Sequence, residues 1–251
     1  KILYIFNMKI QILKLKDNTD KFVIKKNKTF DIPFRLLIVG KTGSAKSNFL
    51  ANILLQDNKE FYRNDFEGDR IFIFTGSPSD NKLKIIRKEL DIPDENVFKG
   101  YDEEAVEVIY DMMVEEFEEA IEEGEPPKPF LFVFDDLGFT SSMKGQEKES
   151  QLNRIFMNSR KYLGNVIVML QKYSDAGTGI RENASGLILF KSSNKQIDLI
   201  EGDHNYIRGK DNKKIFRDMM IRETEKPFSF LIINFNKPDL YYNTEFEPVT
   251  F

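Results

Sequence analysis

The stretch Leu36-Leu37-Ile38-Val39-Gly40-Lys41-Thr42-Gly43-Ser44-Ala45-Lys46-Ser47 constrains this chain more than any other. An apolar run of strand length feeds a loop holding two glycines, a lysine and a serine. A helix-compatible segment, Asn48 to Leu55, follows at once. A loop that cradles phosphate needs that order. The strand delivers the chain, and the glycines let backbone N–H groups curl around the β- and γ-phosphates. The helix N-terminus adds the positive end of its dipole. Residues Gly40 through Asn48 are therefore the candidate nucleotide-binding set, with Lys46 on the phosphate oxygens and the Ser47 hydroxyl on Mg2+. One position departs from G-x-x-x-x-G-K-[ST]: Ala45 stands where glycine is usual. Read as the first residue entering the helix, alanine is tolerated there. The competing reading is an ordinary glycine-rich turn.

The rest of the chain alternates apolar runs with helical patterns. Runs at 70–75, 130–134, 165–170, 186–190 and 228–234 read as buried strands. Segments 81–90, 102–123, 151–162, 195–201 and 212–220 read as helices. The acidic helix 102–123 places Ala105, Ile109, Met112, Met113, Phe117, Ala120 and Ile121 at helical spacing, with its acidic face read as solvated. Residues 140–150 are polar and flexible in composition. Such alternation, with the phosphate-loop pattern after its first run, predicts an α/β fold of the P-loop kind. Its central sheet is mostly parallel and covered by helices on both faces. Ahead of it, the alternation from Met8 to Lys16, the turn Asp17–Asp20 and the run from Phe22 to Ile24 suggest a hairpin. The expected organisation is an N-terminal β-hairpin appendage over 1–33 and a P-loop ATPase domain over 34–251. Residues 1–7 precede the first methionine and are set apart as a candidate upstream extension or the tail of a longer chain.

With 251 residues the chain can bury a sizeable core. It has no cysteine, which excludes disulfides, thiolate zinc sites and cysteine nucleophiles and fits an intracellular setting. No apolar run reaches the length of a membrane span, and no secretory signal is evident. A lone histidine, His204, cannot build a histidine-rich metal site and is expected on a loop or at the surface. A formal charge of −4 argues against non-specific coating of nucleic acid, while leaving room for a local basic lining inside a ring.

Chemistry-bearing residues recur at the strand ends. Phe130-Leu-Phe-Val-Phe-Asp135-Asp136 is a buried run closing in two carboxylates, the first suited to hold Mg2+ and the second to polarise an attacking water. The competing reading is a turn with two solvated acids. Gln171 follows the run 166–170 directly, and its carboxamide can both donate and accept near a γ-phosphate. Arg160 and Arg181 are candidate arginine fingers toward a neighbouring subunit, with structural ion pairs as the alternative for each.

The ordered set Gly40–Ser47, Phe134-Asp-Asp136, Asn158-Ser-Arg-Lys161, Val166–Gln171 and Ile180-Arg-Glu-Asn183 resembles the genome-packaging ATPase of nucleocytoplasmic large DNA viruses and virophages. That family is the poxvirus-type branch of the FtsK–HerA superfamily, which implies a P-loop NTPase fold of the additional-strand, RecA/FtsK-like kind. The resemblance runs from about Pro33 to Asn183. It implies ATP and Mg2+ as cofactors, with Lys46 and Ser47 on phosphate and metal, Asp135 on metal, Asp136 as base and Gln171 as sensor. The family's Arg-His pair stands here as Arg160-Lys161, without the histidine. Also implied are a ring, with a hexamer as its expected size, double-stranded DNA and a capsid or portal-vertex protein as partners, and the host cytoplasm (the viral factory) or the virion as location.

Three functions stay open on the residues themselves. A DNA-translocating motor would carry basic loops toward a pore, with Lys172, Lys191, Lys210, Lys213 and Lys214 as candidates. A nucleotide-binding assembly protein with weak or no hydrolysis would explain Ala45 and the aspartate, not glutamate, at position 136. A small-molecule kinase would need an acceptor pocket and lid arginines.

Overall fold

Strands buried on both faces need apolar side chains at nearly every position, and the apolar runs of this chain meet that need. The structure, a computed structural model, describes residues 21–137 and 150–251. In chain order its elements are β1 (Arg35–Val39), α1 (Lys46–Leu55), β2 (Ile71–Thr75), α2 (Asn81–Glu89), β3 (Val97–Lys99), α3 (Glu103–Glu123) and β4 (Phe130–Asp135). Then follow α4 (Gln151–Asn158), β5 (Gly164–Leu170), α5 (Thr178–Asn183), β6 (Gly186–Phe190), α6 (Asn194–His204), α7 (Asn212–Glu223), β7 (Phe230–Asn234) and β8 (Tyr241–Tyr242).

Among the described residues the strands form one sheet in the order β3-β2-β4-β5-β1-β6-β7-β8. Pairing is parallel from β3 across to β6 and antiparallel for β6–β7 and β7–β8. The insertion of β5 between β1 and β4 is the additional strand expected from the sequence. Registers Val39↔Leu170 and Asp135↔Met169 bring the C-terminal ends of β1, β5 and β4 flush at one edge. Open parallel sheets bind ligands in the crevice at that edge.

Side-chain alternation divides the core in two. Leu37 and Val39 join the cluster that holds Val106, Phe156, Ile197 and Phe216 of α3, α4, α6 and α7. Leu36 and Ile38 join Phe49 and Leu83 of α1 and α2 on the other face. Helices thus cover both faces, and none is long and apolar enough to cross a membrane among the described residues.

Two expectations change at this level. In α3 the buried stripe is Val106, Ile109, Tyr110, Met113 and Phe117, while Met112 stays 43% exposed. Met112 lies one residue, about 100° of helix, off that stripe. The expected helix 151–162 stops at Asn158 and continues as a 3-10 turn over Ser159–Tyr162. Of the N-terminal hairpin, residues 8–20 lie outside the described residues, as does the expected polar segment over 140–149. Residues 21–33 make a single antiparallel bridge, Ile24 to Ile32, and Phe30 and Ile32 are buried in the core cluster of α1.

Candidate functional site

The phosphate loop starts where β1 ends. Gly40 donates its N–H to the Leu170 carbonyl at 3.0 Å, which ties the loop to β5. A Cβ on Gly40 would lie 2.4 Å from Ser44 Oγ and 2.8 Å from Phe190 Cβ, so only glycine lets the loop pass. Gly43 has φ +80°, the left-handed region. Ala45 corrects the sequence expectation. It is the N-cap of α1, with φ 78° and ψ 21°, and has not entered the helix. An L-residue there carries about 1–2 kcal/mol of strain that glycine avoids.

Lys46, the first residue of α1, turns back and donates to the Gly40 carbonyl at 2.7 Å. Burial pulls its amine below the usual lysine value, while the carboxylates of Asp135 and Asp136 act in the opposite sense. Among the described residues, no acceptor takes the N–H groups of Gly43, Ala45, Lys46 and Ser47. A half-buried cation beside unspent backbone donors is a cradle for phosphate.

Asp135 closes β4, and its carboxyl is pushed up to about 6, first by burial and then by Asp136 beside it. Lys46 and a hydrogen bond from Thr75 oppose the shift, and Asp80 adds to it. Asp136 sits at φ 45°, a left-handed geometry that aspartate tolerates better than most residues. The turn packs tightly, since a Cβ on Gly76 would fall 2.7 Å from the Asp136 carbonyl oxygen. Gln171, just past β5, donates from Nε2 to Asp136 Oδ1 at 2.8 Å. Lys46, Asp135, Asp136 and Gln171 are thus gathered at one edge, drawn from three strand ends.

Among the described residues no trio of His, Asp and Glu could hold a metal ion. Mg2+ at a phosphate site takes one or two protein oxygens and completes its shell with phosphate and water. The Ser47 hydroxyl and the Asp135 carboxylate are the protein oxygens on offer.

Both arginine candidates lie elsewhere. Arg160 is exposed in the turn before β5, at the opposite end of that strand from Gln171. Seven extended residues put roughly 20 Å between the two ends. Arg181 pairs with Asp203 at 2.5 Å and lies 5.2 Å from the centre of the Tyr173 ring. Of the basic candidates, Lys172 and Lys191 line a cleft of about 600 Å3 with Lys41, Lys195 and Gln171. Lys213 pairs with Glu201 near the end of α6, away from that cleft.

His204 is a second correction. It is 5% exposed, Tyr173 Oη lies 2.7 Å from its Nε2, and burial lowers its pKa to about 4. Sequence reasoning also missed Thr75 and Asp80. Their signal was a polar run directly after the apolar run of β2, the pattern that had marked Asp135 and Asp136.

The family model described as poxvirus A32 protein matches residues 21–236. Among solved structures, the fold is similar to the genome packaging NTPase B204 from Sulfolobus turreted icosahedral virus 2 in complex with AMP. The TM-score is 0.54 at 12% identity, over 87% of this chain and 98% of that one. It is similar to B204, the DNA-packaging ATPase from Sulfolobus Turreted Icosahedral Virus, with TM-score 0.52 at 14% identity over 87% and 99%. A further likeness is to EssC (ATPases 2 and 3) from Geobacillus thermodenitrificans, with TM-score 0.53 at 17% identity over 83% and 38%. At these identities the likeness is one of fold. No curated protein matches by sequence.

Proposed function

The chain belongs to the poxvirus A32 protein family, and from that premise we propose that it is a Mg-dependent ATPase driving double-stranded viral DNA into a preformed capsid as a ring. The observation that carries the enzymatic part is the Gln171–Asp136 hydrogen bond, 2.8 Å long, beside Lys46 and Asp135. The family, and structural neighbours described as packaging ATPases, support the DNA-packaging part.

On this reading the loop from Gly40 to Asn48 wraps the triphosphate. Lys46 leaves the Gly40 carbonyl for the β- and γ-oxygens. Ser47 and Asp135 would hold Mg2+, which neutralises phosphate charge as the bond to the leaving group breaks. Asp136, steadied by Gln171, accepts a proton from the attacking water. The water oxygen bonds to the γ-phosphorus, and ADP leaves with the electron pair of the broken bond. Gln171 is the residue through which the γ-phosphate is sensed. Arg160, exposed at the far end of β5, serves a neighbour's site, and Lys172 and Lys191 face the DNA.

ATP turnover tests the roles. Asp136→Asn is expected to lower turnover by at least about a hundredfold, in the range for a general base, with ATP binding intact. Unchanged turnover in that variant would remove Asp136 as base. Binding of ATP without turnover in the wild type would favour the assembly-protein reading.

A further inference from the structure

Four residues, Lys226-Pro227-Phe228-Ser229, make a tight turn just before β7. The Ser229 N–H donates to the Lys226 carbonyl at 3.2 Å, and Ser229 Oγ donates to the same oxygen at 2.8 Å. Proline stands second, and Phe228, third, has φ 66°. Turns of this kind put glycine or asparagine at the third position because its φ is positive. Here it is phenylalanine, a residue 65% exposed. Backbone strain holding a large apolar ring in water has no return in stability. Such outliers collect at binding sites.

Contacts tie this turn to the phosphate loop. Phe230 pairs with Phe190 across β6–β7, with ring centres 5.2 Å apart, and Phe190 is the residue against which Gly40 packs. Phe230 also meets Phe49 of α1 at 5.1 Å. The direction of a bound nucleotide follows from the site. Asp135, Asp136 and Gln171 mark the γ-phosphate end over β4 and β5. The base of an extended nucleotide then lies on the opposite side of β1, over β6 and β7.

Charge agrees with that assignment. Beside Phe228 is a cleft of about 530 Å3 that also carries Arg222, Glu223, Glu225, Lys226 and Glu245. Three carboxylates against two cations repel phosphate and suit a neutral, amino-bearing base. Asn243 lines the same cleft, and its Oδ1 already accepts two backbone N–H groups, at 2.9 and 3.0 Å. Its NH2 is left as a donor for a ring nitrogen. The cleft beside the phosphate loop is the reverse, with Lys41, Lys172, Lys191 and Lys195.

We propose that Phe228 is the nucleobase platform of this protein, stacking on the adenine of ATP bound at the phosphate loop, with the 222–229 and 243–245 segments forming the base pocket. The inference rests on the nucleotide-site reading above, and the test separates the two. The chain has no tryptophan, so Phe228→Trp installs a single, selectively excitable tryptophan at the site. In the full-length protein with Mg2+, its emission is expected to be quenched by ATP and unmoved by inorganic tripolyphosphate. Phe228→Ala is expected to weaken ATP about tenfold, within the range for base–aromatic stacking, and to leave tripolyphosphate affinity unchanged. Lys46→Ala should weaken both ligands. If the wild type binds ATP but the tryptophan does not respond, or Phe228→Ala binds ATP as tightly as wild type, the platform is overturned. If the wild type binds neither ligand, the nucleotide site itself falls, and the platform with it.

Discussion

Ala45 shows how one side chain can matter without touching anything reactive. Its left-handed backbone at the head of α1 is the geometry that glycine fills without strain. Ala45→Gly is therefore expected to raise stability by roughly 1 kcal/mol, seen as a higher urea midpoint with an unchanged slope. A lower midpoint would mean that the loop needs alanine's restriction in the unfolded chain more than it suffers in the folded one. His204 gives a second residue-scale prediction. Its pKa is lowered to about 4 in the fold against 6.5 in an ordinary setting. Between those values the unfolded chain binds the extra proton, so stability is lost as pH falls from 6.5 toward 4. The full loss is up to about 3 kcal/mol. Asp135, raised to about 6, works in the opposite sense over most of that range. Comparing wild type with His204→Gln isolates the histidine: the variant should show a shallower fall of urea midpoint from pH 7 to pH 5. Equal slopes would place the imidazole in water, as the sequence alone had suggested.

Elements differ in how much of them the sequence discloses. Strands β1, β2, β4, β5, β6 and β7 are legible because burial on both faces leaves apolar runs with nothing polar between. β3 and β8 are three and two residues long, and only pairing with β2 and β7 makes them strands. The core face of α3 was off because Met112 and Met113 are equally apolar, and tertiary packing chose between them. In the candidate site, the meeting of Lys46, Asp135, Asp136 and Gln171 at one edge was readable from strand ends. The strain at Ala45 and the burial of His204 were not, since both depend on backbone angles and distant neighbours. The N-terminal segment tests the packing account. A Cβ on Gly186 would lie 2.0 Å from Phe30 Cε1, so that ring closely abuts the start of β6. Gly186→Ala is expected to cost roughly 1–3 kcal/mol by overpacking, and Phe30→Leu in the same chain should recover part of it. Additive losses in the double variant would show that the two residues do not touch.

At the scale of the whole molecule, the sheet separates two chemistries along its strands. The proposed phosphate-binding groups occupy the C-terminal ends, while Arg160 and half-buried Arg35 share a cleft at the N-terminal end of β1 and β5. Burial and the nearby Arg160 lower the Arg35 pKa, as expected where two guanidinium groups face one another. No single chain can bring Arg160 to its own phosphate loop across roughly 20 Å of strand. A ring that stacks one subunit's N-terminal sheet end on the next subunit's phosphate loop would do so. Arg160→Ala should then lower turnover by about a thousandfold, the low end for an arginine finger. Arg181→Ala, which breaks the pair with Asp203, should instead lower stability. The reverse pattern would make Arg181 the residue acting in trans. The central claim, a DNA-driven ATPase, is tested most directly by ATP turnover with and without linear double-stranded DNA, in wild type beside Lys46→Ala and Asp136→Asn. The account predicts turnover that rises with DNA and is lost in both variants. Turnover indifferent to DNA, or surviving in either variant, would contradict it.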